Sequence, residues 1–242
     1  MFVPKEIAQN LAMLLPPVRV FAQRWHHTGT MNDPAEAQRL FADYAQHAAP
    51  AGKDLLELGP GQSPRVLQHA LRAGAKSATG LDVADYFEGR PPDGIQIRIY
   101  DGRTMPFDDA SFDLVWSTSC FEHIRYPKLT IAECARVLRR GGTMICGIDL
   151  KDHYHAAPED AANHLRYSDW LWKAMKWNRS AYTNRVRASQ WERLFTDCGF
   201  KLRLFRTETS DALRRVYRDK PDPRYSEIDF VTTWIFAVLD RA

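Results

Sequence analysis

Residues 54–63 read Asp-Leu-Leu-Glu-Leu-Gly-Pro-Gly-Gln-Ser, an apolar strand running straight into a glycine turn. Downstream, Gly80-Leu81-Asp82 reads as a second strand that ends on an acid. This pair constrains the fold more than any other feature of the chain. A strand, a glycine turn and a helix, then a strand ending on a carboxylate, form the opening βαβ unit of a parallel sheet. The turn lets a ligand approach the backbone, and the carboxylate can grip two ribose hydroxyls. The pair therefore describes a nucleoside pocket.

The residues around the turn narrow the nucleoside. A dinucleotide fingerprint wants a third glycine, for close helix packing and a pyrophosphate at the helix N-terminus. Pro64 occupies that position here. Glu57, just before the turn, would repel a pyrophosphate and attract an ammonium group. A nucleoside carrying an amino-acid tail suits this combination.

The rest of the chain extends the rhythm. Strands are expected at 53–58, 77–82, 95–100, 112–117 and 143–149, with helices at 64–73 and 127–139. Gly141-Gly142 reads as the stop signal of the second helix. A helix at 188–197, a strand at 200–207, a polar loop at 209–227 and a last strand at 228–239 complete the pattern. Two helix candidates precede it, at 5–25 and 34–47. Pro16-Pro17 should break the first, and a basic-aromatic stretch follows. The expected fold is α/β, a doubly wound Rossmann-like sheet of about seven strands with an antiparallel last strand. Residues 1–48 read as an N-terminal helical cap and 49–242 as the sheet domain. A helical insertion at about 150–185 reads as a lid, with helix character near 166–177.

Bulk properties exclude several classes. The length of 242 residues suits one α/β domain with additions. The net charge of +3 is too small to imply nucleic acid. No stretch approaches the roughly 18 apolar residues of a membrane span. The N-terminus shows no secretion signal. The four cysteines are scattered, with no CxxC pair, as in a reducing compartment, so a cytoplasmic protein is expected. Residues 151–242 carry 17 Lys and Arg against 13 Asp and Glu. That excess admits either an anionic ligand or a solvated face.

In order and spacing, the motifs resemble the class I S-adenosylmethionine-dependent methyltransferases, most strongly over residues 50–150. The matching pieces are Leu56-Glu-Leu-Gly-Pro-Gly, Gly80-Leu-Asp82, Asp101-Gly102 with Met105-Pro-Phe107, Ser111-Phe-Asp-Leu-Val115, Phe121-Glu-His-Ile124 and Ala135-Arg-Val-Leu-Arg-Arg-Gly-Gly142. The resemblance implies S-adenosyl-L-methionine as cofactor. It implies Glu57, Gly59 and Gly61 at the methionine end, Asp82 on the ribose, Asp101 and Gly102 beside the adenine, and Ser117 facing the ligand. Glu122-His123 would either anchor its loop or place His123 near the methyl group.

The later cluster, Asp149-Leu-Lys-Asp-His-Tyr-His155, begins at the end of the fifth strand, on the ligand-binding edge. With Asn163-His-Leu-Arg-Tyr-Ser168 and Tyr182-Thr-Asn-Arg-Val-Arg187 it resembles a methyltransferase subgroup found beside glycan and secondary-metabolite genes. O-methylation of a sugar or natural-product hydroxyl is the expected reaction. His153 is the candidate base, oriented by Asp149 or Asp152, against a loop-fixing network as the plain alternative. A metal held by Asp149, Asp152, His153 and His155 lacks any established ligand spacing. Trp170, Trp172 and Trp177 are packing or a pocket roof. Arg166, Tyr167, Asn184 and Arg185 are candidate acceptor contacts, and Arg187 belongs to the same run. The expected partner is a small-molecule acceptor, anionic if those arginines meet it, with a homodimer left open. Other classes remain: an RNA or protein methyltransferase, an aminopropyltransferase-like enzyme, and a donor-binding scaffold without catalysis.

Overall fold

A computed structural model describes residues 3–24, 33–87, 90–179 and 182–242. The end of the basic-aromatic stretch beyond Arg24 lies outside the described residues. Seven strands form one mixed sheet: β1 (Asp54–Leu58), β2 (Ser77–Asp82), β3 (Ile95–Ile99), β4 (Phe112–Thr118), β5 (Leu138–Asp149), β6 (Phe200–Thr209) and β7 (Thr232–Arg241). Their order is β3-β2-β1-β4-β5-β7-β6. The first five run parallel, and β7 lies antiparallel between β5 and β6.

Side-chain alternation explains the layers. Leu55, Leu114, Trp116 and Ile145 point to one face, where they pack on Ala37 and Tyr44 of α3 (Pro34–Ala45) and Val66 and Ala70 of α4 (Arg65–Arg72). Leu56, Val115, Met144 and Cys146 point to the other, against Ile131 and Cys134 of α5 (Pro127–Val137) and Trp191 and Phe195 of α7 (Ala188–Asp197). Strands buried on both faces read as continuous apolar runs, and the period of two decides which helix each residue meets.

Three local expectations need correction. The helix over 127–139 ends at Val137, and Gly141-Gly142 sits inside β5. There the register against β4 jumps from Phe112↔Leu138 to Leu114↔Thr143, a bulge that the glycine pair makes feasible. The polar loop 209–227 contains α8 (Asp211–Asp219), because Ser210 caps it by accepting from the Leu213 amide and Leu213 buries against Phe230. The last strand starts at Thr232, after the short α9 (Glu227–Val231). Pro16-Pro17 separates α1 (Val3–Ala12) from α2 (Pro16–Arg24) by opening the second helix, where a missing amide costs nothing.

The N-terminal helices divide between two jobs. α3 belongs to the sheet, and the Tyr44 hydroxyl donates to the Ser117 carbonyl 2.6 Å away. α1 joins the insertion instead. Asn10 bonds to the Ala174 carbonyl of α6 (Asp169–Lys176) at 2.9 Å and accepts from the Asn178 amide at 2.7 Å. Lys176, fully buried, pairs with Glu6 and lies over the Tyr154 ring. None of the described helices is long and apolar enough to cross a membrane.

The insertion is tied to the sheet by Arg187. Its buried guanidinium donates to the carbonyls of Leu150, Asp229 and Thr232. Burial pushes its pKa down to about 10. Arg187→Ala would leave those carbonyls unpaired in the interior. We expect it to lower the unfolding free energy by about 3–5 kcal/mol, read from urea denaturation. Lys in its place should restore little, because one ammonium cannot reproduce the fork. A wild-type urea midpoint for the Ala variant would refute this assignment.

Candidate functional site

The candidate site lies at the carboxyl ends of β1, β2, β4 and β5. β1 delivers Glu57 and then turns at Gly59 and Gly61, both left-handed, with φ of 76° and 61°. The Gly59 amide donates to the Leu81 carbonyl at 2.9 Å, and the Gly61 amide to Asp82 Oδ2 at 3.2 Å. Asp82 also accepts from the Val83 amide at 2.7 Å. The turn and the acid therefore form one bonded unit.

Its electrostatics are unusual. Glu57 is buried, and its Oε2 has no hydrogen-bond partner. Loss of water, with the charge of Asp82 adding to it, pushes its pKa up to about 8. Burial raises Asp82 to about 6 in spite of its backbone donors. Two carboxyls reluctant to ionise call for a cation or for hydroxyl donors.

The remaining donor-side expectations divide. Gly102 is left-handed at φ 76°, with Val83 Cγ1 3.4 Å from where a Cβ would be. Asp101 is fully exposed and caps its own turn, accepting from the Arg103 and Thr104 amides, which hold its pKa below the usual carboxylate range. It thereby fixes Gly102 at the groove edge. Ser117 is buried, and its hydroxyl donates to the Leu58 carbonyl at 3.0 Å. Its side chain braces β4 against β1 beneath the turn. Val83, half-exposed beside Gly102, is an apolar edge suited to a planar base. Its one sequence signal is that it follows the ribose-type acid.

The 3-10 turn Phe121–His123 and the loop after β5 make the opposite wall. Glu122 is buried with neither carboxylate oxygen hydrogen-bonded, and burial drives its pKa far above the ordinary value. His123 Nδ1 lies 2.7 Å from the Tyr182 carbonyl. The His123 and His153 rings are 5.0 Å apart. His153 Nε2 sits 3.8 Å from Asp149 Oδ2, so Asp149 is the carboxylate placed to orient it. Asp152 turns the other way. It is buried, accepts from the Tyr154 amide at 2.7 Å, and contacts His155 Nδ1 at 3.2 Å. The structure thus separates the four ligands of the sequence-based metal set. Asp149 and His153 face Glu122 and His123, whereas Asp152 and His155 face His164.

Asn184 and Arg185 line a cavity of about 310 Å³ with Trp172, Tyr182 and Tyr225. Both are also structural. Asn184 Nδ2 donates to the Phe121 and Ile124 carbonyls, and Arg185 to those of His164 and Tyr167. Tyr167 stacks on Trp172, and Arg166 is exposed. Trp172 is buried, whereas Trp170 is 71% exposed and roofs nothing.

Comparisons with known proteins agree with this geometry. Residues 56–146 match a family model described as a methyltransferase domain. An uncharacterized protein of Methanocaldococcus jannaschii is 39% identical over 61 residues, which cover 25% of this chain and 30% of that one. The 27-O-demethylrifamycin SV methyltransferase of Amycolatopsis mediterranei is 28% identical over 106 residues, 40% of this chain and 39% of that one. The matches thus span well under half the length of these two curated relatives. An S-adenosylmethionine-dependent methyltransferase from Mesorhizobium loti superposes with a TM-score of 0.59 at 16% identity, covering 87% of this chain and 99% of that one. Residues 56–146 are thus similar to a methyltransferase domain, and the likeness to the Mesorhizobium loti structure extends the shared fold to most of the chain.

One packing contact sets the turn. A Cβ on Gly59 would lie 2.5 Å from Cys120 Sγ and 2.7 Å from Cys120 Cβ. Gly59→Ala should therefore destabilise the fold by about 2 kcal/mol or more. Cys120→Gly should recover the steric part but not the left-handed penalty of about 1–2 kcal/mol. A double-mutant cycle by thermal denaturation measures the coupling. Strict additivity would show that the two residues do not meet.

Proposed function

We propose that this protein transfers a methyl group from S-adenosylmethionine to a hydroxyl of a small molecule. The observation that carries the reading is the buried, unpartnered Glu57 carboxyl beside a left-handed glycine turn bonded to Asp82. The donor's ammonium would satisfy Glu57, and its ribose hydroxyls would donate to Asp82. The sulfonium then faces the wall formed by Glu122, His123 and His153.

The reaction is an in-line displacement. An acceptor oxygen forms the new bond to the methyl carbon as the carbon–sulfur bond breaks, and its electrons stay on sulfur. The hydroxyl proton leaves to a base. His153 is the candidate, since burial, outweighing Asp149 and Asp152, keeps its pKa below the ordinary histidine value. A neutral imidazole can take a proton, worth about 10²–10⁴-fold in rate. Alignment of the three atoms supplies more of the rate than the base does. A sugar or natural-product hydroxyl is an acceptor class suited to a neutral imidazole base. The similarity to the 27-O-demethylrifamycin SV methyltransferase supports that choice.

Two measurements test the donor site. Asp82→Ala should weaken S-adenosylmethionine binding about 10–100-fold by calorimetry, because a charged acceptor is lost. Unchanged affinity would rule the pocket out. Proton linkage tests Glu57. A carboxyl whose pKa is raised to about 8 stabilises the free fold at acid pH, and that stability is lost as pH climbs through 8. Near pH 6.5 it is protonated, so capture of an ammonium must expel close to one proton. Calorimetry in two buffers of different ionisation heat should register that release, and Glu57→Gln should abolish it. No buffer dependence in the wild type would mean that Glu57 does not meet the donor.

A further inference from the structure

We propose that Glu122, His123 and His153 form a binding site for a divalent first-row transition-metal ion such as Zn2+. One ligand atom from each lies within 4.8 Å of the others. Metal–nitrogen bonds of about 2.1 Å bring ligand atoms to roughly 3–4 Å apart, within reach of small side-chain rotations.

Three independent observations support the assignment. Glu122 is 2% exposed, and neither of its oxygens has a hydrogen-bond partner. A buried polar group without a partner costs about 1–3 kcal/mol, so the arrangement favours a ligand that takes up those oxygens. The Tyr182 carbonyl can only accept, so His123 Nδ1 must donate to it at 2.7 Å. That bond fixes the tautomer and leaves a lone pair on Nε2, the orientation a ligating imidazole requires. The His153 side chain keeps 24% of its surface exposed, which gives an ion a path from solvent.

The ligand set selects the ion. Two imidazoles and one carboxylate suit Zn2+, Mn2+ or Fe2+ and disfavour Mg2+, which prefers an all-oxygen shell. Asp149, 3.8 Å from His153 Nε2, stands where it can steady that ring. The chain path places the ion beside the donor pocket, because Cys120, two residues before Glu122, touches Gly59. Given the methyl-transfer reading above, an acceptor hydroxyl bound to the ion would lose its proton more easily. His153 would then serve as a ligand, and water would carry the proton away.

The test uses the full chain without donor or acceptor. Dialysis against Zn2+, with metal counted per chain, should find one tight ion in the wild type. Glu122→Gln and His153→Ala should each weaken it at least about tenfold. His155→Ala, on the Asp152 side, should leave it unchanged. Mg2+ in large excess should not displace it. The absence of a tight ion, or an ion that survives both Glu122→Gln and His153→Ala, would overturn the proposal. Circular dichroism without metal checks that the variants fold, and His153→Ala decides if Glu122→Gln does not. Zinc binding and donor binding are measured separately, so failure of either leaves the other standing.

Discussion

A single guanidinium holds the far wall of the site in place. Arg187 is buried at the junction of three elements, and its donors go to carbonyls just after β5, within α9 and at the start of β7. Desolvating a cation costs several kcal/mol, which only well-directed acceptors offset. The planar fork supplies that direction. Leu150, one of its acceptors, immediately precedes the loop that carries Asp152 and His153. The position of that loop is therefore an interior electrostatic matter more than one of loop sequence.

The opposite wall is built on a different compromise. The Gly61 amide ties Asp82 to the turn that follows Glu57, and burial pushes both carboxyls toward their neutral forms. In the free protein this is stored cost. A ligand with one positive group and two hydroxyls would relieve it, which is how a site can be selective without many contacts. The walls meet at Cys120, whose packing on Gly59 leaves no room for a side chain on the turn.

Much of this was legible in the sequence. The parallel order of β1 to β5 followed from the alternation of apolar runs and glycine turns, and the placement of Glu57 and Asp82 at one sheet edge from their positions near strand ends. What escaped were features decided by tertiary contact. Arg187 reads the same as Arg185 on the page, yet one is interior and the other lines a cavity. The pairing of His153 with Glu122, and of Asp152 with His155, depends on a loop turning back on itself at the Ala161 carbonyl, which accepts from the Asp152 amide at 2.7 Å. No spacing rule encodes that. α8 was hidden because most of its side chains are charged and only Ala212 and Leu213 are buried.

The position of β7 has a consequence for how the protein forms. It is the last strand in chain order, yet it lies between β5 and β6. During synthesis β6 has no neighbour to pair with, and β5 presents an open apolar edge, until residues 232–241 emerge. Such an edge invites other chains. Maturation should therefore be the vulnerable moment, with chaperone dependence governed by the final ten-residue strand rather than by the site.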